Sequence, residues 1–207
     1  MRYAIVSDIH ANYGALEAVD RVVRRIRAVD PDPDQAINYW FLGDLLGYGP
    51  QPIECIRWLQ GQVEDENWIP GNHDLEVVNR IAARVTLDSN RTESLPQGSS
   101  SSSEENGHAL ATWPLHAEIL SRPENSGYLE WFRTQVNLKL QTHTPVVRKI
   151  GDLVLIFAHG SASPTGRLTQ YLRPWGHGML MLQTDLQSLW HAYGGNGRTV
   201  CMLYGHT

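Results

Sequence analysis

Asn67-Trp68-Ile69-Pro70-Gly71-Asn72-His73-Asp74 is the run that decides the fold. Its first four residues read as a short strand. Glycine, amide, imidazole and carboxylate then occupy four consecutive positions, and Leu75 to Val85 beyond them reads as a helix. Taken alone, Gly71-Asn72-His73-Asp74 has an ordinary reading: an asparagine turn followed by an aspartate that caps the next helix. The rest of the chain repeats the arrangement. Upstream, an apolar strand over Tyr3 to Ser7 runs into Asp8-Ile9-His10, and a strand over Asn38 to Leu42 runs into Gly43-Asp44. Downstream, Leu153 to Ala158 leads to His159-Gly160, and Thr199 to Tyr204 leads to Gly205-His206.

Strands alternating with helices predict a layered α/β fold. In such folds ligands gather in the crevice outside the carboxyl ends of the strands. Five strand ends therefore bring together side chains that are far apart in sequence. Carboxylate oxygens, imidazole nitrogens and an amide oxygen suit manganese, iron, zinc, nickel or cobalt better than an all-oxygen magnesium or calcium cage. A carboxylate bridges two cations about 3.5 to 4 Å apart, and such a pair activates water and stabilises charge during displacement at phosphorus.

The ordered set resembles the calcineurin-like metallophosphoesterase family over nearly the whole chain. Asp8-Ile9-His10-Ala11-Asn12, Gly43-Asp44-Leu45-Leu46-Gly47-Tyr48-Gly49-Pro50, Gly71-Asn72-His73-Asp74 and His159-Gly160-Ser161 look closest to its small bacterial and archaeal branch. The resemblance implies an α/β, four-layer αββα sandwich with a dimetal site on one sheet edge. It implies that Asp8 and His10 hold the first metal, that Asp44 bridges both, and that Asn72, His159 and His206 complete the second. His73 would be catalytic, facing the scissile bond to protonate the leaving oxygen or stabilise the phosphoryl charge. Asp74 would either orient His73 or cap the following helix. The expected cofactors are two divalent ions, manganese first among them. The expected function is metal-dependent hydrolysis of a small phosphate ester, most plausibly a phosphodiester. Family members close the pattern with Gly-His-x-His, whereas this sequence reads Gly205-His206-Thr207. It is therefore expected to be a truncated form lacking one ligand of the first metal. A non-catalytic metal- or phosphate-binding module is the alternative.

At 207 residues and 42% hydrophobic content the chain is expected to form a single domain, residues 1–207, with a proper core. No apolar stretch approaches the roughly 20 residues of a membrane span, and the N-terminus meets Asp8 too soon for a signal peptide. Cys55 and Cys201 lie far apart and read as buried thiols rather than a disulfide, as in a reducing, cytoplasmic compartment. The net charge of −5 argues against nucleic acid as a partner. Gly14 to Val29 places apolar residues at helical spacing, with Arg21, Arg24, Arg25 and Arg27 as a solvated face. A polar, serine-rich loop is expected over about 87–106, and a helical cap over about 107–135 with helices broken at Pro114 and Pro123. Val146 to Lys149 and Leu153 to Ala158 predict a hairpin across Gly151-Asp152, and Met179 to Tyr193 a helix. His108, His116, His143, His177 and His191 match no motif and read as structural or surface residues. Arg167 and Arg173 are phosphate contacts or surface ion-pair partners, and Tyr48 a leaving-group contact or a packing residue.

Overall fold

The computed structural model describes residues 2–30, 36–89, 105–141, 145–160, 177–194 and 197–205. Strands β1 (Arg2–Val6) and β2 (Ile37–Phe41) pair in parallel, with Arg2 opposite Ile37 and Val6 opposite Phe41. Parallel neighbours need a crossover, and helix α1 (Tyr13–Val29) supplies it. Asn12 caps α1 by accepting the Ala15 amide at 3.1 Å. Leu16, Asp20 and Val23 form its buried face, and the four arginines are exposed. Asp20 tolerates burial because the Tyr39 hydroxyl donates to it.

The second sheet contains β3 (Val146–Ile150), β4 (Leu153–Ala158) and β5 (Thr199–Tyr204) in the order β3-β4-β5. β3 and β4 are antiparallel, turning through Gly151 at φ +58°, and β5 is parallel to β4. Two-residue alternation assigns each strand two faces. Tyr39 and Phe41 of β2 join a core with α1 and with helices α2 (Pro52–Gln62), α3 (Asn72–Ser89), α4 (Glu105–Leu120) and α5 (Ser126–Gln141). Their neighbours Trp40 and Leu42 instead meet Leu155 and Phe157 of β4. Trp40 stacks on Phe157 with ring centroids 3.9 Å apart, joining the two sheets. On the far side, Val154, Ile156 and Ala158 pack with Leu189 of helix α6 (His177–Tyr193). The layers are therefore helices, sheet, sheet, helix, the αββα order that the family resemblance implies.

Three local expectations change. Asn67 to Pro70 is not a regular strand: Asp65–Asn67 is a 3-10 turn, and only Trp68 bridges Phe41. The segment still lies along β2, with the Ile69 amide donating to Phe41 at 3.0 Å. Pro70 has no N–H to extend the pairing, and α3 begins two residues later. Pro114 does not break its helix, which runs from Glu105 to Leu120. Burial of His116, Ala117 and Leu120 against the core offsets the lost backbone bond. The expected polar loop is shorter at both ends, because α3 reaches Ser89 and α4 starts at Glu105. Its middle, 90–104, lies outside the described residues. A helix break does occur at Pro123, where a 3-10 turn over Pro123–Asn125 precedes α5. Cys55 and Cys201 are both free thiols, Cys55 buried as expected and Cys201 only partly so.

Candidate metal centre

The loops after β1 and β2 are laced together by main-chain bonds. The amides of Asp8, His10 and Ala11 donate to the carbonyls of Gly43, Asp44 and Leu45 at 3.0, 2.9 and 2.6 Å. This course forces left-handed backbone at Asp8 (φ +54°), His10 (+52°), Ala11 (+59°) and Asp44 (+57°). Asp and His visit that region more readily than most residues, and each instance still costs on the order of 1 kcal/mol. Three of the four are metal-type side chains, so the strain sits where ligands must be aimed. Gly71 admits no side chain: a Cβ there would overlap the Asp44 carboxylate and the Asp44 backbone nitrogen.

Asp44, 1% exposed, is the centre of the arrangement. Its Oδ1 accepts the His73 backbone N–H at 2.9 Å, from the first turn of α3. Its Oδ2 faces His159 Nε2 at 3.3 Å and His10 Nε2 at 3.9 Å. Burial pushes the carboxyl pKa up, but hydrogen bonding and charge from His159, with the fields of His73 and His10, outweigh burial and hold it below the usual range. One side-chain atom from each of His10, Asp44 and His73 lies within 4.8 Å of the others, and the same holds for Asp8, Asp44 and His159. Two donor groups therefore share one carboxylate.

His159 Nδ1 lies 2.7 Å from the Leu42 carbonyl, which only accepts, so the ring carries its proton there. Its Nε2 faces Asn72 Oδ1 at 3.1 Å as well as Asp44. His10 repeats the pattern, with Nδ1 3.2 Å from the Leu46 carbonyl and Nε2 turned toward Asp44. A backbone carbonyl behind an imidazole is the usual outer partner of a metal-binding histidine. Burial lowers the His159 pKa, but Asp44, Leu42 and Asp8 more than offset this and raise it. The pocket thus draws positive charge to a point ringed by nitrogen and oxygen donors. A pair of divalent cations fits these residues.

Asp74 accepts from Gly71 N at 3.0 Å, which caps α3 from its third position. It also accepts from Leu46 N at 2.9 Å and Leu45 N at 3.3 Å. Its role is wider than a cap: it ties the loop after Asp44 to α3. Full burial, then the nearby Asp44 charge, push its carboxyl up to about 7 against those three amides. Tyr48 sits at the rim, 44% exposed, with its ring 4.7 Å from that of His10 and 5.0 Å from that of His73. Two residues at the site carried no sequence signal. Trp113 donates its indole N–H to His73 Nδ1 at 2.9 Å. His116, fully buried, accepts from Gly47 N at 3.3 Å and meets the Gly49 carbonyl at 2.6 Å through Nε2. Burial lowers the His116 pKa, which suits this neutral bridging form. β5 delivers Gly205 beside His159, its amide on the Ala158 carbonyl at 3.1 Å. His206, Arg167 and Arg173 lie outside the described residues.

An αββα sandwich whose strand ends converge on a carboxylate shared by two donor groups has the build of a binuclear metalloprotein. The chain belongs to the calcineurin-like phosphoesterase family, whose profile matches residues 1–161. It is 24% identical over 169 residues to a symmetrical bis(5'-nucleosyl)-tetraphosphatase of Edwardsiella ictaluri (strain 93-146), covering 82% of this chain and 47% of that protein. It is 28% identical over 178 residues to the asymmetrical bis(5'-nucleosyl)-tetraphosphatase PrpE of Bacillus subtilis (strain 168), covering 84% of this chain and 64% of that one. A solved metallophosphoesterase from Sphaerobacter thermophilus superposes with a TM-score of 0.44 at 25% identity, covering 87% of this chain and 56% of its own. The chain thus spans about half to two thirds of the length of these relatives. Among the described residues, no helix is long and apolar enough to cross a membrane.

Proposed function

We propose that this protein is a dimetal phosphoesterase that hydrolyses a phosphodiester or phosphoanhydride of a small nucleotide, with a dinucleoside tetraphosphate as the first substrate class to test. The observation that carries this reading is Asp44 standing between the Asp8–His159 and His10–His73 groups. The tetraphosphate class rests on what the relatives' names say of those relatives. Asp8, His10 and Asp44 would hold one ion, and Asp44, Asn72, His159 and His206 the other, with Asp8 also within reach of the His159 group. Manganese is the expected metal. Bound divalent cations supply Lewis-acid stabilisation of phosphoryl charge and lower the pKa of water.

The chain's own residues do the rest. The interlaced loops after β1 and β2 hold Asp8, His10 and Asp44 in place before substrate arrives, so little reorganisation remains. The amide of His73 on Asp44 Oδ1 restrains the shared carboxylate. The His73 imidazole, beside His10 and Tyr48, would protonate the leaving oxygen or hydrogen-bond the phosphoryl group. The whole chain is read as one cytoplasmic domain, with the helices over about 107–135 as a cap over one side of it.

Metal-stripped protein titrated with manganese, while diadenosine tetraphosphate and an aryl phosphodiester are assayed, tests the reading. Two ions per chain and turnover that His73→Ala abolishes are expected. Stoichiometric binding of manganese without hydrolysis of either substrate would replace the enzyme with a binding module.

A further inference from the structure

We propose that Trp113 is a positioning residue of this site, its indole N–H holding His73 in the tautomer that carries its proton on Nε2. The inference rests on the reading of His73 as the group that faces the phosphate.

The argument starts from what an indole nitrogen is able to do. It donates and never accepts, so a nitrogen 2.9 Å away in line with it must offer a lone pair. In a neutral imidazole one nitrogen accepts and the other donates. With Nδ1 accepting from Trp113, the proton of His73 lies on Nε2. His10 and His159 are set the opposite way: each has Nδ1 against a backbone carbonyl, so in the neutral form that ligates a cation the proton stays on Nδ1 and the lone pair is on Nε2. Three imidazoles within one pocket are thereby sorted into two electron-pair donors and one proton donor. Proximity alone does not make that distinction, since a His73 nitrogen lies as close to His10 and Asp44 as ligand atoms lie to one another. An imidazole with a protonated Nε2 is a poor cation ligand and a good hydrogen-bond donor to an anionic oxygen.

The fold holds the indole firmly. The rings of His73 and Trp113 meet edge to face at 5.0 Å and 70°, and the Arg80 guanidinium lies 5.5 Å over the indole. One helical turn further on, His116 spans Gly47 N–H and the Gly49 carbonyl, so α4 is clamped to the loop that carries Tyr48. Trp113 and His116 lie three residues apart and therefore share a helix face. Ala117 and Leu120 anchor that helix in the core.

The test separates the hydrogen bond from packing. Trp113 is replaced by benzothienylalanine, which keeps the bicyclic ring and puts sulfur where the N–H was, with Trp113→Phe as a second variant. In metal-free protein, nitrogen-15 correlation spectra of the His73 ring should show the Nε2-protonated pattern, and both variants should convert it to an averaged one. The Trp113 indole proton should lose its downfield position in His73→Ala. With manganese and substrate, both variants should lower kcat on the order of 10- to 100-fold, as loss of an orienting partner does, with KM little changed. An Nδ1-protonated pattern in the native protein overturns the proposal, as does an unchanged His73 spectrum in the sulfur variant or an effect confined to KM. The spectra need no turnover, so an inactive native protein would refute the proposed function while the spectra still decide the role of Trp113.

Discussion

The two sheets contribute to the site in different ways. On the first, the loops after β1 and β2 form a strained lattice, with four non-glycine residues at positive φ held by a ladder of main-chain bonds. Asp8, His10 and Asp44 are therefore aimed by backbone. On the second, His159 follows directly from β4 and is placed through its side chain, by Nδ1 on the Leu42 carbonyl of the opposite sheet. Its position depends on how the sheets pack, which rests on Trp40 against Phe157. One half is set by local chain geometry and the other by docking of layers. The first should survive disturbance of the sheet interface better than the second.

Asp44→Asn should have the largest effect, because both halves use that carboxylate. Calorimetric titration with manganese should show both sites weakened by more than about 100-fold. His159→Ala, by contrast, should remove one ion and leave the other. Equal loss of both ions in His159→Ala would erase the distinction between the halves. Next, Trp40→Ala should destabilise the fold by about 3 to 5 kcal/mol in urea denaturation. In the surviving folded protein it should weaken the His159 ion more than the His10 ion, and the reverse order would contradict docking of layers as the cause.

Gly71→Ala tests the local half, since its methyl group meets the Asp44 carboxylate and backbone. A loss of about 1 to 3 kcal/mol in stability is expected, with weaker metal binding at the shared carboxylate. The smallest effect belongs to Cys55, buried beneath the first sheet. Burial, with Glu54 and Asp74 nearby, pushes its thiol up to about 12. A raised thiol pKa means less thiolate, so Cys55 should resist maleimide at pH 8 in native protein and react only after denaturation. Rapid native labelling would show that the core of the first half opens readily.

Much of the fold was legible because the hydrophobic pattern has one period for each element. Tyr39 and Phe41 face the helices while Trp40 and Leu42 face the other sheet; the run from Tyr39 to Leu42 is apolar throughout, as a strand buried on both faces requires, so the packing alone decides which residue meets which layer. The strand expected over Asn67 to Pro70 is not regular, because Trp68 and Ile69 pair only briefly before Pro70 ends the pairing. Pro114 misled in the other direction: the helix around it is stabilised by contacts with distant residues, which a local rule cannot weigh. Asp74 could be read as a helix cap from its place after Gly71, but its bonds to Leu45 and Leu46 cross from another loop.

For the site, residue types after expected strands single out Asp8, His10, Asp44, Asn72, His73, His159 and His206 as candidates, because metal and phosphate chemistry asks for those donors, and the structure brings the first six together. Which nitrogen of each imidazole carries the proton was decided only by tertiary structure. That depends on the partner behind the ring: a carbonyl of the β2 loop for His10 and His159, and an indole 40 residues along the chain for His73. A one-dimensional pattern specifies the donors. The three-dimensional packing assigns each its hydrogen-bonding direction, because a hydrogen bond requires contact and these contacts form only when the layers close.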